Sequence, residues 1–166
     1  MMNFINNETE GFYKKSNLCP KMFITTSSED KKIYLWDEKV ASTVFTYEDS
    51  NSKTTFNCLV CHNSNEFSEM IYASNYNKSV ITAFSTSNPD PIYKSVPIEE
   101  PISYMTCNSD FLLIGSSKGN VFLFELINCN YLIQIKCFSS EVISLLLCKD
   151  NSIIAVSKDI IKIYGY

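Results

Sequence analysis

Arginine is absent from this chain: all 14 of its basic residues are lysine. Arginine is the usual bidentate ligand for phosphate, carboxylate and guanine, so no arginine finger and no Arg–guanine contact can be built here. The formal net charge of −4 points the same way, against a basic face for sequence-specific nucleic-acid binding. Glycine is scarce, with four residues, and no glycine-rich phosphate loop occurs. There is one histidine, His62. No apolar run approaches the length needed to span a bilayer, and no N-terminal apolar core precedes a small-residue cleavage site. The expectation is a protein of the nucleus, nucleolus or cytoplasm, neither secreted nor membrane-bound. Its seven cysteines (Cys19, Cys58, Cys61, Cys107, Cys129, Cys137 and Cys148) are then expected to be reduced, and the sequons at Asn7 and Asn77 unused.

What is present is enough for a core. Hydrophobic residues make up 45% of the 166 positions and charged residues 19%, the balance of one folded domain. The organisation shows on sliding the chain along itself. Ile114–Phe124 moved forward by 40 residues lies over Ile154–Tyr164, with Ile, Ser and Lys coinciding and Phe124 falling on Tyr164. Moved back by 40, Phe124 falls on Phe84, and a further 48 residues back stands Trp36. Polar stretches around residues 49–55 and 63–69 account for the longer step.

Each unit consists of short runs rich in Ile, Val, Phe and Tyr, separated by Pro, Asn, Asp, Gly and Ser. This predicts strands and turns. The second unit divides as 57–62, 70–74, 79–85 and 91–97. The third divides as 102–107, 111–116, 120–126 and 131–138. The fourth has 142–148, 152–157 and 160–164. No segment holds a helical period over three turns. Four short strands every ~40 residues are the mark of propeller blades, thin sheets that bury their faces only by stacking. The fold expected is therefore all-β, a partial β-propeller of about three and a half four-stranded blades. Those blades span 21–48, 56–98, 101–138 and 141–166, behind a flexible tail or ragged first strand at 1–20. The fourth unit has only three runs, which suggests a fragment or a chain that borrows strands from a partner.

The first unit carries a specific motif. Ser28-Glu29-Asp30-Lys31-Lys32-Ile33-Tyr34-Leu35-Trp36-Asp37 resembles the WD-repeat pattern Ser-x-Asp-x-x-Ile-x-Leu-Trp-Asp. The resemblance implies that Asp30 accepts hydrogen bonds pinning a tight turn and that Trp36 and Asp37 close the next strand. Asp159 is expected to repeat the turn role. Gly119, beside Ser117, replaces the Asp in the third unit and suits a turn through its tolerance of positive φ.

Two motifs suggest chemistry and fail on context. Cys58-Leu59-Val60-Cys61-His62 matches the haem-attachment pattern. It falls on an expected strand, where positions three apart face opposite ways, and a structural zinc site would want four ligands with no second Cys-x-x-Cys to supply them. Gly115-Ser116-Ser117-Lys118-Gly119 matches the nucleophile elbow, but a strand rather than a helix is expected to follow, and the one histidine precedes the serine. No catalytic residue, cofactor or metal is assigned, and a non-enzymatic role is expected.

Residues 21–166 are also similar to the N-terminal half of the WD-repeat subunit of a late assembly complex of the large (60S) ribosomal subunit. The similarity is carried by Met22–Thr26, Met70–Ser74, the linker Val96–Ile102 and the block Leu112–Leu126. It implies a protein-interaction scaffold that docks on a rod-like scaffold subunit and helps bring an AAA-type ATPase to the precursor, where RNA spacer removal depends on the complex. The alternative is a WD-repeat adaptor of another assembly, in trafficking or ubiquitin ligation.

Overall fold

The computed structural model describes residues 13–15, 22–27, 29–48, 56–62, 70–75, 79–95, 97–150 and 152–165. Among them every regular element is a strand. The first sheet is β1 (Tyr13–Lys15), β2 (Met22–Thr26), β3 (Ile33–Asp37) and β4 (Ser42–Tyr47), in that spatial order. The second is β5 (Phe56–His62), β6 (Met70–Asn75), β7 (Val80–Ser85) and β8 (Asn88–Lys94). The third is β9 (Ile102–Cys107), β10 (Phe111–Ser116), β11 (Asn120–Glu125) and β12 (Tyr131–Lys136). The fourth has three strands: β13 (Ser144–Leu147), β14 (Ile153–Val156) and β15 (Ile161–Tyr164). Every pairing is antiparallel between sequence neighbours. The strands expected in the second to fourth units occur at nearly the expected places. β1 falls within the stretch read as a tail or ragged strand, and the polar stretches 49–55 and 63–69 lie outside the described residues.

The sheets stack through their faces. The first strands β1, β5, β9 and β13 lie side by side in turn, and no comparable packing joins β13 back to β1 among the described residues. Side-chain alternation along each strand divides the core into three layers. Ile24, Ile33 and Leu35 of the first sheet meet Phe56, Ile71, Ala73 and Phe84 of the second. Tyr72, Ile81 and Ala83, from the second sheet's other face, meet Met105, Leu112, Ile114 and Phe124 of the third. Leu113, Val121 and Leu123, from the third sheet's other face, meet Val142, Leu145, Ile153 and Ala155.

This explains why two burial rhythms coexist. In β7, β10 and β11, five of six residues are buried, because both faces of those sheets are covered. In β3 and β14 buried residues alternate with half-buried ones, because one face is covered.

Polar side chains also bridge the stack. The Asn57 amide donates to the Ile102 carbonyl at 2.6 Å while its Oδ1 accepts from Ser74 Oγ at 2.6 Å. Ser103 Oγ donates to the Val142 carbonyl at 2.6 Å. Asn57 and Ser103 are each the second residue of a first strand, and each reaches the backbone at the start of the next unit. The Tyr72 hydroxyl, donating to the Leu126 carbonyl at 2.9 Å, ties the second and third sheets again. Burial pushes that phenol well above its usual range.

Truncating Phe84, fully buried between the first two sheets, to alanine is expected to cost about 3–5 kcal/mol. Ile127→Ala, at a position 61% exposed, should change stability by no more than about 0.5 kcal/mol. Urea unfolding monitored by circular dichroism measures both.

Candidate functional site

The residues singled out by the sequence lie on turns and on the outer face of the first sheet. Ser28 lies outside the described residues. At the β2–β3 connection, Lys31 takes a left-handed conformation (φ 64°) and its amide donates to the Ser27 carbonyl at 3.1 Å. Asp30 fastens this turn from its side chain: Oδ1 accepts from the Lys32 amide at 3.1 Å, and Oδ2 accepts from the Tyr34 hydroxyl. Desolvation pushes the Asp30 carboxyl up, but the hydrogen bonds from Tyr34, Ser27 and Lys32, with the Lys32 charge, outweigh it and hold the carboxyl below the usual aspartate range. Asp37 performs the matching task at the β3–β4 turn, where Oδ1 accepts from the amides of Lys39 at 2.7 Å and Val40 at 3.4 Å.

Trp36 lies on the outer face of the first sheet. Its indole N–H donates to Thr25 Oγ1 at 2.9 Å, and its ring stacks on Phe23 with centroids 6.0 Å apart and planes 9° apart. Tyr34 is 5.8 Å from it on the same face. Register explains the grouping, since Phe23 is opposite Trp36 and Thr25 opposite Tyr34.

The third unit uses backbone in place of a carboxylate. Gly119 has φ 83°, and a Cβ there would stand 2.4 Å from the carbonyl oxygens of both Phe138 and Ser140. The Gly119 carbonyl in turn accepts from the amides of Cys137 and Phe138. Around this hairpin Glu100 acts as a clamp that sequence reading missed: it accepts from Ser116 Oγ at 2.5 Å and from the side-chain Nδ2 of Asn120 at 2.6 Å. Ser117 is exposed, and its amide donates to the Pro101 carbonyl at 2.9 Å. The strand β11 follows it, so the helix a nucleophile elbow requires is not there. In the fourth unit Asp159 is exposed, and its carboxylate takes no hydrogen bond among the described residues. The turn is closed by Ser157, whose amide donates to the Ile160 carbonyl at 2.9 Å.

Cys58, Cys61 and His62 all lie on β5, with Cys58 opposite Ser74 and Cys61 opposite Ile71. No group of three His, Cys, Asp or Glu side chains suited to a metal ion occurs among the described residues. Two thiols are buried in the core. Burial pushes Cys129 up to about 12 and also raises Cys137, which a hydrogen bond with Tyr164 and the charges of Lys162 and Lys136 partly offset. Among the described residues no helix is long and apolar enough to cross a membrane.

No family model and no curated protein matches the chain. Solved structures do match its fold. It is similar to the computationally designed Ika4 protein, with 15% identity and a TM-score of 0.71, over 87% of this chain and 85% of that one. It is also similar to the computationally designed Ika8 protein, with 15% identity and a TM-score of 0.74, over 93% of this chain and 45% of that one. The likeness is one of fold: an all-β array of antiparallel sheets, mostly four-stranded.

Two outcomes are expected at the turns. Asp30→Asn should lower stability by about 0.5–1 kcal/mol at neutral pH, a small effect because the site is exposed and solvent-screened. The folded carboxyl titrates below the unfolded value of about 3.9, so its contribution is whole above that pH and is lost as pH falls through the folded value. The variant should therefore show a shallower loss of stability on acidification in pH-dependent urea melts. Gly119→Ala, which meets backbone oxygens that cannot step aside, should cost about 2 kcal/mol or more in the same assay.

Proposed function

We propose that this chain is part of a WD-repeat β-propeller that serves as a non-catalytic protein-interaction scaffold. The observation that carries the reading is the pair of pinned turns around β3. Asp30 holds one end of the strand and Asp37 the other, with Trp36 between them, in the order of the WD-repeat motif. A stack of stiff sheets joined by short turns presents loops and faces at fixed spacing, which suits docking of several partners at once.

The narrower proposal is a subunit of a complex in large ribosomal subunit assembly and precursor-RNA spacer processing, acting in the nucleus or nucleolus. It rests on the similarity of Met22–Thr26, Met70–Ser74, Val96–Ile102 and Leu112–Leu126 to that family. Its partners would be a scaffold subunit and an AAA-type ATPase. Affinity capture of the tagged chain from cells of its source, followed by mass spectrometry, tests it. Recovery of large-subunit assembly factors is the expected result. Recovery of only ligase or coat components would replace the assembly reading with the adaptor reading. Ser117→Ala should leave the captured set unchanged; loss of a hydrolytic activity in that variant would overturn the non-catalytic role.

A further inference from the structure

A groove of about 490 Å³ opens in the middle of the stack, between residues 97–100 on the connection from β8 to β9 and the face of the third sheet that looks toward the second. Both of those sheets carry their outer strand, β8 and β12, so neither end of the chain leaves this groove open. Its walls are Glu99, Glu100, Phe122, Phe124, Tyr131 and Gln134. Phe124 is fully buried and meets Tyr131 edge to face, with centroids 5.6 Å and planes 70° apart. That contact fixes the angle of the Tyr131 ring, which is 48% exposed.

The polar side of the groove has acceptors in excess. Glu99 is exposed and Glu100 half-buried. Glu100 accepts only from the neutral donors of Ser116 and Asn120, and among the described residues no cation pairs with either carboxylate. Asn120 is buried on the same face as Phe122 and Phe124, and its Oδ1 has no donor. Lys136, opposite Asn120 in register, gives its ammonium instead to the Lys118 carbonyl at 2.6 Å. An uncompensated carboxylate beside an aromatic ring is the setting that attracts an ammonium or guanidinium group.

The backbone beside the groove is also open. β12 lies at the edge of its sheet and pairs with β11 alone. β8, the outer strand of the second sheet, carries two prolines, while β12, Tyr-Leu-Ile-Gln-Ile-Lys, carries none. Its unpaired amides and carbonyls can therefore accept a further strand.

We propose that this groove and the adjoining edge of β12 take an extended segment of a partner protein, with a lysine or arginine side chain of that segment lying against Tyr131 and Glu99. Main-chain bonds to β12 hold the segment, and the groove selects the basic residue, the division of labour of strand addition to a sheet edge. The charge of the walls selects a basic partner over an acidic one. The proposal deepens the scaffold reading and rests on it. Affinity capture tests the scaffold role, and binding to the purified chain tests this surface, so the two can fail separately.

Fluorescence anisotropy of the purified full chain with a labelled heptapeptide alternating valine and lysine tests the proposal. Saturable binding that weakens as salt is raised is expected, and the same peptide with glutamate for lysine should not bind. Glu99→Lys and Tyr131→Ala should each weaken binding about tenfold. Glu99 is exposed, so Glu99→Lys should keep the urea midpoint of the parent chain, which separates a lost contact from lost folding. Peptides N-methylated on every valine or on every lysine lose the donors of opposite edges, so one should bind and the other should not. No saturation by the lysine peptide, equal binding of the glutamate peptide, indifference to both substitutions, or equal responses to the two methylation patterns would each overturn the proposal. So would light scattering that shows the chain pairing with itself and losing that pairing in Tyr131→Ala, which would assign the edge to a second copy.

Discussion

A thin twisted sheet has two faces, and water tolerates an apolar face only while something lies against it. Four strands of five or six residues cannot fold over on themselves, so the sheets here must lie against one another. Most of the structure follows from that requirement. Interior sheets become apolar on both faces, which erases the alternation a half-buried strand would show: β10 reads Phe-Leu-Leu-Ile-Gly-Ser and sends Leu112 and Ile114 one way and Leu113 the other. The outer sheets keep the alternation, as Ile33-Tyr34-Leu35-Trp36 and Ile153-Ile154-Ala155-Val156 show.

Close stacking also explains where glycine is needed. A Cβ on Gly115 would lie 2.5 Å from Val142 Cγ1, so at that point the third and fourth sheets approach too closely for a side chain. The same approach lets Ser103 reach the Val142 carbonyl, and Asn57 makes the equivalent reach one sheet earlier. These short polar side chains at strand starts satisfy backbone acceptors that stacking would otherwise leave without donors.

Local chemistry was legible in the residues, and distant chemistry was not. The resemblance gave Asp30 a turn role without naming its partners, and the bonds found there, from Lys32 and Tyr34, reach only two and four positions along the chain. The strands of the second to fourth units could be read because composition and turn residues bracket them. Glu100 could not be read as a clamp, because Ser116 and Asn120 lie 16 and 20 residues away and no periodicity joins them. β1 was obscured for another reason: three residues, Tyr-Lys-Lys, carry no pattern of their own and become a strand only by pairing with β2. Asp159 marks the converse limit. An aspartate in a turn matched the expected type, but Ser157 closes that turn through its backbone and leaves the carboxylate in water.

The outer edges show the same constraint from the side. A strand edge offers unpaired amides and carbonyls to any passing chain, and proline removes the donor. The outer strand β8, Asn-Pro-Asp-Pro-Ile-Tyr-Lys, carries two prolines and a carboxylate that blunt its edge. β15, Ile-Lys-Ile-Tyr, has no proline, and Lys162 is turned inward to lie over the Phe138 ring and donate to the Cys137 carbonyl. The one charge on that strand is thus spent on the covered face, leaving isoleucines on the open one.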